Sequence, residues 1–290
     1  LVSFAIQLFT IPLVAYSYYE IPVYAMLINL FVLVVVNGLL GLTVLGVIVG
    51  MAFLPAGRVL FAPCGWMLDS YRFLCEVSLK IPGAQRITGK PAHMRIFWYY
   101  LGLGVFLLAI YACARRNEKH KDGRETADLC VSRRKKRLQG MVFSCFIAFL
   151  LLVLLFPQKK SFEIDFLDVG QGDGIYLCTG GGTSMFIDGG STDVKQVGKY
   201  RILPFLKAKE VSEISYWFVS HTDTDHVSGL KEVLVSGYRV EYLVFAKAVE
   251  KEAKTKELAE LARSHGTKVL YMQAGDTVRS KRAAMRFLYP

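Results

Sequence analysis

Long apolar segments fill the first half of the chain and predict helices. Segments without a charged side chain cover residues 1–18, 21–54, 96–113 and 140–156. About 20 apolar residues in a helix cross a bilayer core of about 30 Å, so each segment predicts a membrane span. The second segment would extend about 50 Å as one helix. We therefore expect it to break at Asn37-Gly38 and to pack closely at the glycines that follow, Gly41, Gly46 and Gly50.

Two other segments of the first half are amphipathic or polar. Residues 65–81 alternate apolar and charged side chains at helical spacing, which predicts a helix along the membrane interface. Residues 114–139 carry ten basic and four acidic side chains, and basic loops are retained on the cytoplasmic side. The pattern predicts a multi-pass domain over residues 1–157 in the cytoplasmic membrane, with residues after 157 on the extracytoplasmic side.

After residue 158 the pattern changes to short β-branched and aromatic runs separated by tight turns. Helices are predicted over residues 197–207 and 250–265. Strands are predicted over residues 162–169, 175–179, 184–188, 214–219, 241–246, 268–272 and 285–289. This order of elements predicts an α/β domain over residues 158–290.

Composition also divides the chain into a membrane half and a half in which basic and acidic side chains are nearly balanced. The chain is 53% hydrophobic and carries a formal net charge of +11. Residues 1–157 have 16 basic and 7 acidic side chains, whereas residues 158–290 have 19 and 17. Because the basic excess lies in the apolar half, it indicates membrane topology. The net charge of the whole chain is therefore not by itself evidence for nucleic-acid binding.

The densest candidate chemistry lies in Ser220–Gly229, SHTDTDHVSG. This segment follows a predicted strand, and α/β folds commonly place their chemistry on such loops. Its imidazoles and carboxylates suit a pair of divalent ions, which can clamp an attack on a phosphorus or carbonyl centre. The candidate metal ligands are His221, Asp223, Asp225 and His226. The segment predicts a hydrolase, and a polar loop with helix-capping aspartates is the alternative.

Two glycine-rich turns precede this segment. Asp168–Asp173 (DVGQGD) follows the first predicted strand, and Asp188-Gly189-Gly190 ends the third. Small residues allow the backbone to fold tightly there. From the residues alone, both turns are either structural or part of a site.

These motifs resemble those of the ComEC competence proteins, membrane channels for transforming DNA that carry a metallo-β-lactamase-like domain. His221, Asp225 and His226 match the His-x-His-x-Asp-His signature of that fold, and Asp223 stands in place of its second histidine. The DVGQGD motif is also typical of the family. A carboxylate at position 223 favours manganese or magnesium over zinc, without settling the choice.

The resemblance implies that residues 158–290 form an αββα metallo-β-lactamase-like fold, incomplete at the carboxyl terminus, with further ligands beyond Pro290. It implies uptake of single-stranded DNA through the membrane part, while a metal-dependent nuclease outside hydrolyses the other strand of the duplex. His221 and Asp223 would hold one ion and Asp225 and His226 the second, with Asp225 as the catalytic residue. The residues implied to support the ligands or border the substrate are Asp168, Gln171, Asp173 and Asp188.

Two other functions remain open at this point. The second domain could be a metal-free module that gates or docks DNA, or a membrane-anchored hydrolase of a small ester or amide. DNA and the lipid bilayer are the expected partners, and other competence proteins are candidates. Because the chain starts with Leu1 inside an apolar segment, we expect it to be part of a larger protein.

Overall fold

The computed structural model describes residues 2–119, 129–157, 159–280 and 283–288. The chain forms two compact units, Leu1–Ile87 and Thr88–Pro290. These units are defined by compactness. The boundary predicted near residue 157 separates a membrane part from an α/β part, and it stays a prediction.

The first unit consists of three helices and a short two-stranded sheet. The helices are α1 Val2–Tyr18, α2 Ala25–Ala52 and α3 Leu54–Lys80. Strand β1, Glu20–Pro22, pairs antiparallel with β2, Gln85–Ile87. The predicted interfacial helix over 65–81 is the second half of the longer α3.

The predicted break at Asn37-Gly38 is wrong, because α2 continues through both residues. Apolar segments without Pro keep their helical hydrogen bonds, and a single Gly costs only about 1 kcal/mol. The chain breaks instead at Phe53, whose backbone is extended with φ −148° and ψ 97°. The close packing predicted at Gly50 is confirmed across that break, since a Cβ on Gly57 would lie 2.6 Å from the Cα of Gly50.

The second unit begins with two long helices, α4 His93–Lys119 and α5 Leu129–Leu154. They pack through Phe106, whose ring stacks on Phe146 at 4.3 Å between centroids. Both helices extend into the predicted basic loop over 114–139, and residues 120–128 of that loop lie outside the described residues.

Two helical stretches of the described chain are long and apolar enough to cross a membrane, Leu27–Ala52 and His93–Ala112. Ser3–Tyr18 and Gly140–Leu154 are apolar helices of shorter length. The four predicted spans therefore correspond to apolar helices, and membrane crossing itself stays a prediction.

A six-stranded mixed sheet follows, in the spatial order β3-β4-β5-β6-β7-β8. Pairing is antiparallel from β3 to β5 and parallel from β5 to β8. The strands are β3 Glu163–Phe166, β4 Gly174–Cys178, β5 Ser184–Asp188, β6 Glu213–Val219, β7 Arg239–Ala246 and β8 Lys268–Met272. The predicted α/β architecture is confirmed by this mixed sheet.

Three helices supply the apolar side chains that bury one face of the sheet. They are α6 Leu203–Ala208, α7 Thr224–Val235 and α8 Ala253–Ser264. Trp217, Leu230 and Leu258 lie in this core, each less than 2% exposed. This packing holds α7 behind β6, with its first turn at the carboxyl end of that strand.

The opposite face of the sheet carries a smaller cluster around Met185, Phe218 and Val244. A hairpin of β9, Thr277–Ser280, and β10, Ala283–Arg286, contributes to it through Met285 and Phe287. The strand predicted at 285–289 overlaps β10, which pairs antiparallel with the strand just before it.

Candidate functional site

The predicted metal loop lies at the carboxyl end of β6, the strand between β5 and β7 in the sheet. Ser220 follows the last residue of β6, and α7 begins at Thr224 after an extended Asp223. Asp225 and His226 therefore stand in the first turn of α7, where the helix fixes their direction. The strand predicted over residues 214–219 is confirmed as β6.

His226 is the most buried of the four candidate ligands His221, Asp223, Asp225 and His226, which we call the cluster, at 8% exposed. Its Nδ1 lies 3.0 Å from Asp188 Oδ2, and its Nε2 lies 3.5 Å from Asp225 Oδ2. An ionised carboxylate only accepts hydrogen bonds, so Nδ1 carries the proton and donates it to Asp188. The Nε2 lone pair is then directed toward Asp225, as in metal sites where a carboxylate orients the ligating imidazole.

Asp188 is buried at the end of β5 and holds the loop in place. Its Oδ1 accepts a hydrogen bond from the Ser220 N–H, and its Oδ2 accepts one from Ser220 Oγ, both at 2.8 Å. The residue has a positive φ of 58°, which is uncommon outside glycine but tolerated by aspartate. These contacts place Asp188 behind the cluster as a support for Ser220 and His226.

His221 is exposed and lies over His226, with 3.6 Å between the ring centroids. Its Nδ1 is 3.0 Å from Ser220 Oγ, and its Nε2 is 3.9 Å from Asp223 Oδ2. The ring thus has one nitrogen next to the Ser220 hydroxyl and the other at the open side of the loop.

The DVGQGD turn packs directly on the metal loop. Gly172 is required there, since a Cβ would collide with the carbonyl oxygens of Gly190 and Asp225. The Asp173 N–H donates to the Asp225 carbonyl at 3.4 Å, and the Asp173 carbonyl accepts from the Gly189 N–H at 2.7 Å. Its Oδ2 lies 3.9 Å from His226 Nδ1. The predicted proximity of this turn to the loop is therefore observed for Asp173.

Asp168 and Gln171 lie farther out on the same turn. Asp168 is exposed and pairs with Arg201 at 3.6 Å. The Gln171 N–H donates to Asp193 Oδ1 at 2.7 Å. This bond, followed by one from Ser191, lowers the pKa of the Asp193 carboxyl below its ordinary value. Within the part of the chain that the structure describes, Asp168 and Gln171 form no hydrogen bond or ion pair with the four loop residues.

Two groups of described side chains bring three potential metal-ligating atoms within 4.8 Å of one another. One is His221, Asp225 and His226, and the other is Asp173, Asp188 and His226. Mixed imidazole and carboxylate donors fit zinc and manganese, and carboxylate-rich sets suit magnesium. The donor chemistry of the first group therefore fits a divalent ion. In the second group, the Nδ1–H of His226 is hydrogen-bonded to Asp188, so that group supports the ligands.

Asp223 belongs to neither of these two groups of described residues. Its Oδ1 lies 2.9 Å from Lys254 Nζ, and the hydrogen bond from this ammonium lowers the pKa of the Asp223 carboxyl. Lys254 stands in the first turn of α8, and nothing in the local sequence pattern connected it with the loop. Sequence reasoning also missed the hydroxyl of Ser220, which contacts Asp188 and His221.

The membrane-like half matches a known family. A family model described as "Competence protein" matches residues 1–112. The protein named ComE operon protein 3 of Bacillus subtilis is 22% identical over 308 residues, covering 100% of this chain and 36% of that protein. The protein named Recombination protein 2 of Haemophilus influenzae is 30% identical over 106 residues, covering 36% of this chain and 13% of that protein. The chain spans little more than a third of the first relative's length, and less of the second.

Proposed function

We propose that this chain, which belongs to the ComEC family of competence proteins, takes part in DNA uptake across the cytoplasmic membrane and carries a metal-dependent nuclease site. The uptake role is supported by the family match and by similarity along the whole chain. The nuclease role is supported by the cluster at the end of β6. The observation that carries it is the convergence of His221, Asp225 and His226 within 4.8 Å.

The apolar helices would form the membrane part of this function. Leu27–Ala52 and His93–Ala112 have the length and composition to span a bilayer. The basic side chains between the apolar stretches of α4 and α5 favour the cytoplasmic side for that connection. The α/β part after residue 157 would then lie outside, where duplex DNA arrives, and a single strand would pass through the helical part.

In the α/β part, His221, Asp225 and His226 would hold a first divalent ion, and Asp173 would stand beside a second. We retain manganese, magnesium and zinc as candidates, because nitrogen and oxygen donors accept all three. When bound, such ions supply Lewis acidity that stabilises charge on a phosphodiester undergoing hydrolysis.

The protein's own residues prepare this site before any ion or substrate arrives. Asp188 accepts a hydrogen bond from the Nδ1–H of His226 and so leaves Nε2 as the ligating nitrogen. The DVGQGD turn holds the Asp225 backbone by the hydrogen bond from the Asp173 N–H. Asp225 is the best candidate for a catalytic residue, because its carboxylate is half-exposed beside His226 Nε2. Asp223 was expected as a ligand, and the Lys254 contact makes it the least supported member of the set.

Two substitutions test the nuclease proposal in the full-length protein. Asp225→Asn and His226→Ala each remove a ligand, so both are expected to lower bound manganese and reduce duplex hydrolysis to background. Residues of a metal site act as a unit, so the double variant is expected to lose little more than either single one. Metal content is measured by mass spectrometry and hydrolysis by nucleotide release from linear DNA. His265→Ala is the matched control, because that histidine caps α8 away from the cluster.

Retained metal binding and hydrolysis in both variants would show that the cluster is structural. DNA binding by an unmodified protein that takes up no metal when manganese is supplied, and that releases no nucleotides, would favour the gating or docking module instead. Turnover of esters or amides with no release of nucleotides would favour the small-molecule hydrolase.

A further inference from the structure

Lys254 reaches the metal loop from α8, 31 residues beyond the aspartate it contacts. Its Nζ lies 2.9 Å from Asp223 Oδ1, with the two side chains 70% and 61% exposed. Exposed ion pairs contribute little to folding stability, because water and salt screen them. Stability therefore gives little reason for a lysine to be held over this cluster.

The geometry of the pair leaves the ammonium available to an anion. A lysine ammonium has three donors, and Asp223 accepts from one of them. Asp223 Oδ2 is also 3.9 Å from His221 Nε2, so the lysine is separated from the ligand group by one carboxylate. A compact ammonium is a common partner of phosphate groups. Lys254 is therefore positioned to meet a phosphate of a substrate that approaches His221.

A second cation is held in the same way. Arg201 NH1 lies 3.6 Å from Asp168 Oδ2, and both side chains are at least half exposed. Asp168 begins the turn that brings Asp173 to His226. In the strand order, Asp168 and Arg201 belong to connections on the β5 side of β6, whereas Lys254 follows β7 on the other side. The two cations thus flank the metal loop.

We propose that Lys254 and Arg201 bind phosphates of a nucleic-acid strand that lies across the metal loop, with Asp223 and Asp168 holding them in position. This inference rests on the proposed function and names the part of the substrate that is recognised. Phosphates are the same at every base, so the contacts position the strand without reading its sequence. Asp223 then serves as the anchor of Lys254, which accounts for its place outside both groups of potential ligands.

The test is DNA binding by the detergent-solubilised chain in the presence of a chelator, so that neither bound metal nor hydrolysis affects the result. Fluorescence anisotropy of a short labelled duplex, and of its single strand, is measured over a range of salt concentrations. Each phosphate contact contributes about 0.9 to the slope of log affinity against log salt for a duplex, and about 0.7 for a single strand. Lys254→Ala and Arg201→Ala are each expected to reduce the slope by that amount, and the double variant by about twice as much.

Two further variants act as controls. Lys254→Arg keeps the charge and is expected to keep the slope. Lys256→Ala removes an exposed lysine from the same helix, at a position where the structure gives it no side-chain contact with the loop, and is expected to leave the slope unchanged. Circular dichroism of every variant establishes that the fold is intact.

An unchanged slope in folded Lys254→Ala and Arg201→Ala would overturn the inference, as would the absence of DNA binding by the unmodified chain. Stronger manganese binding by Lys254→Ala with an unchanged slope would also overturn it, by showing that the lysine competes with an ion for Asp223. Metal content and hydrolysis are measured on the same samples without chelator. Suppose that the variants reduce the slope but the unmodified protein neither holds metal nor cleaves DNA. That result would support the phosphate contacts and contradict the nuclease proposal.

Discussion

The hydroxyl of Ser220 lies between the two histidines of the cluster and the aspartate behind them. Its Oγ is 2.8 Å from Asp188 Oδ2, 3.0 Å from His221 Nδ1 and 3.4 Å from His226 Nδ1. The hydroxyl donates to Asp188 and can accept from the Nδ1–H of His221. The hydroxyl therefore favours the tautomer of His221 with the proton on Nδ1. It also holds Asp188, the carboxylate that sets the tautomer of His226.

Ser220→Ala is expected to weaken manganese binding at the proposed site by about 10–100-fold, the usual effect of losing a group that orients metal ligands. Titration calorimetry of the detergent-solubilised protein measures the affinity. Ser264→Ala is the matched control, because Ser264 Oγ lies 3.1 Å from Nδ1 of the adjacent His265 outside the cluster. Equal affinity in the Ser220 variant and the unmodified protein would show that this hydroxyl does not orient the candidate ligands.

Helices α2 and α3 form a hairpin in which the two backbones come close together at glycines, because glycine has no side chain to hold them apart. A Cβ on Gly57 would lie 2.6 Å from the Gly50 Cα and 2.9 Å from the Gly46 carbonyl oxygen. Those are backbone atoms, which cannot move aside as a side chain can. Close approach through small residues is also the usual basis of helix association in membranes, where lipid is as apolar as leucine.

Gly57→Ala is expected to destabilise the hairpin by about 1–3 kcal/mol, the range for overpacking a tight contact. Gly65→Ala, in the same helix, has open space around its Cβ position. It is expected to be neutral or to stabilise by up to about 1 kcal/mol, because alanine favours helix more than glycine. Thermal unfolding in detergent compares the two variants. Equal midpoints would mean that the α2 and α3 backbones do not approach this closely.

At the scale of the whole molecule, charge and hydropathy divide the chain in the same place. The excess of basic over acidic side chains is +9 in residues 1–157 and +2 in residues 158–290, from 16 minus 7 and 19 minus 17. Most of the first excess lies between the apolar stretches of α4 and α5. The span before this connection would bring the chain to the cytoplasmic side, and the span after it would take the chain back to the extracytoplasmic side.

Labelling of single cysteines in intact cells tests this topology. In a background without the natural cysteines, Arg115→Cys is expected to be protected from an impermeant thiol reagent, and Tyr200→Cys is expected to react. Both side chains are exposed, so access to the reagent depends on the side of the membrane. Membrane disruption before labelling is the control and should make both positions reactive. The proposed topology would be contradicted by reaction at position 115, or by equal protection of both positions, in intact cells.

Local pattern was sufficient for the elements and for the position of the candidate site. The β-branched and aromatic runs predicted β4, β5, β6, β7 and β8 to within two residues, because such runs bounded by turn residues are typical of strands. The candidate ligands could be found because four of them stand within six consecutive positions, His221 to His226. The motifs also carried the family resemblance, which the match over residues 1–112 supports. The break in the second apolar segment was misplaced, because a glycine in an otherwise apolar helix interrupts no backbone hydrogen bond.

Only the tertiary structure decided how these residues meet. Asp188 is 32 positions from Ser220, Gly172 is far from Asp225 in sequence, and Lys254 follows Asp223 by 31 positions. None of these contacts leaves a periodic signal, because each depends on which strands are neighbours in the sheet and on how α7 and α8 pack behind them. The sequence by itself therefore determined the residue types and the local elements of the site. The support from Asp188 and the placement of Lys254 follow from the order of β5, β6 and β7, which brings three distant connections to one edge.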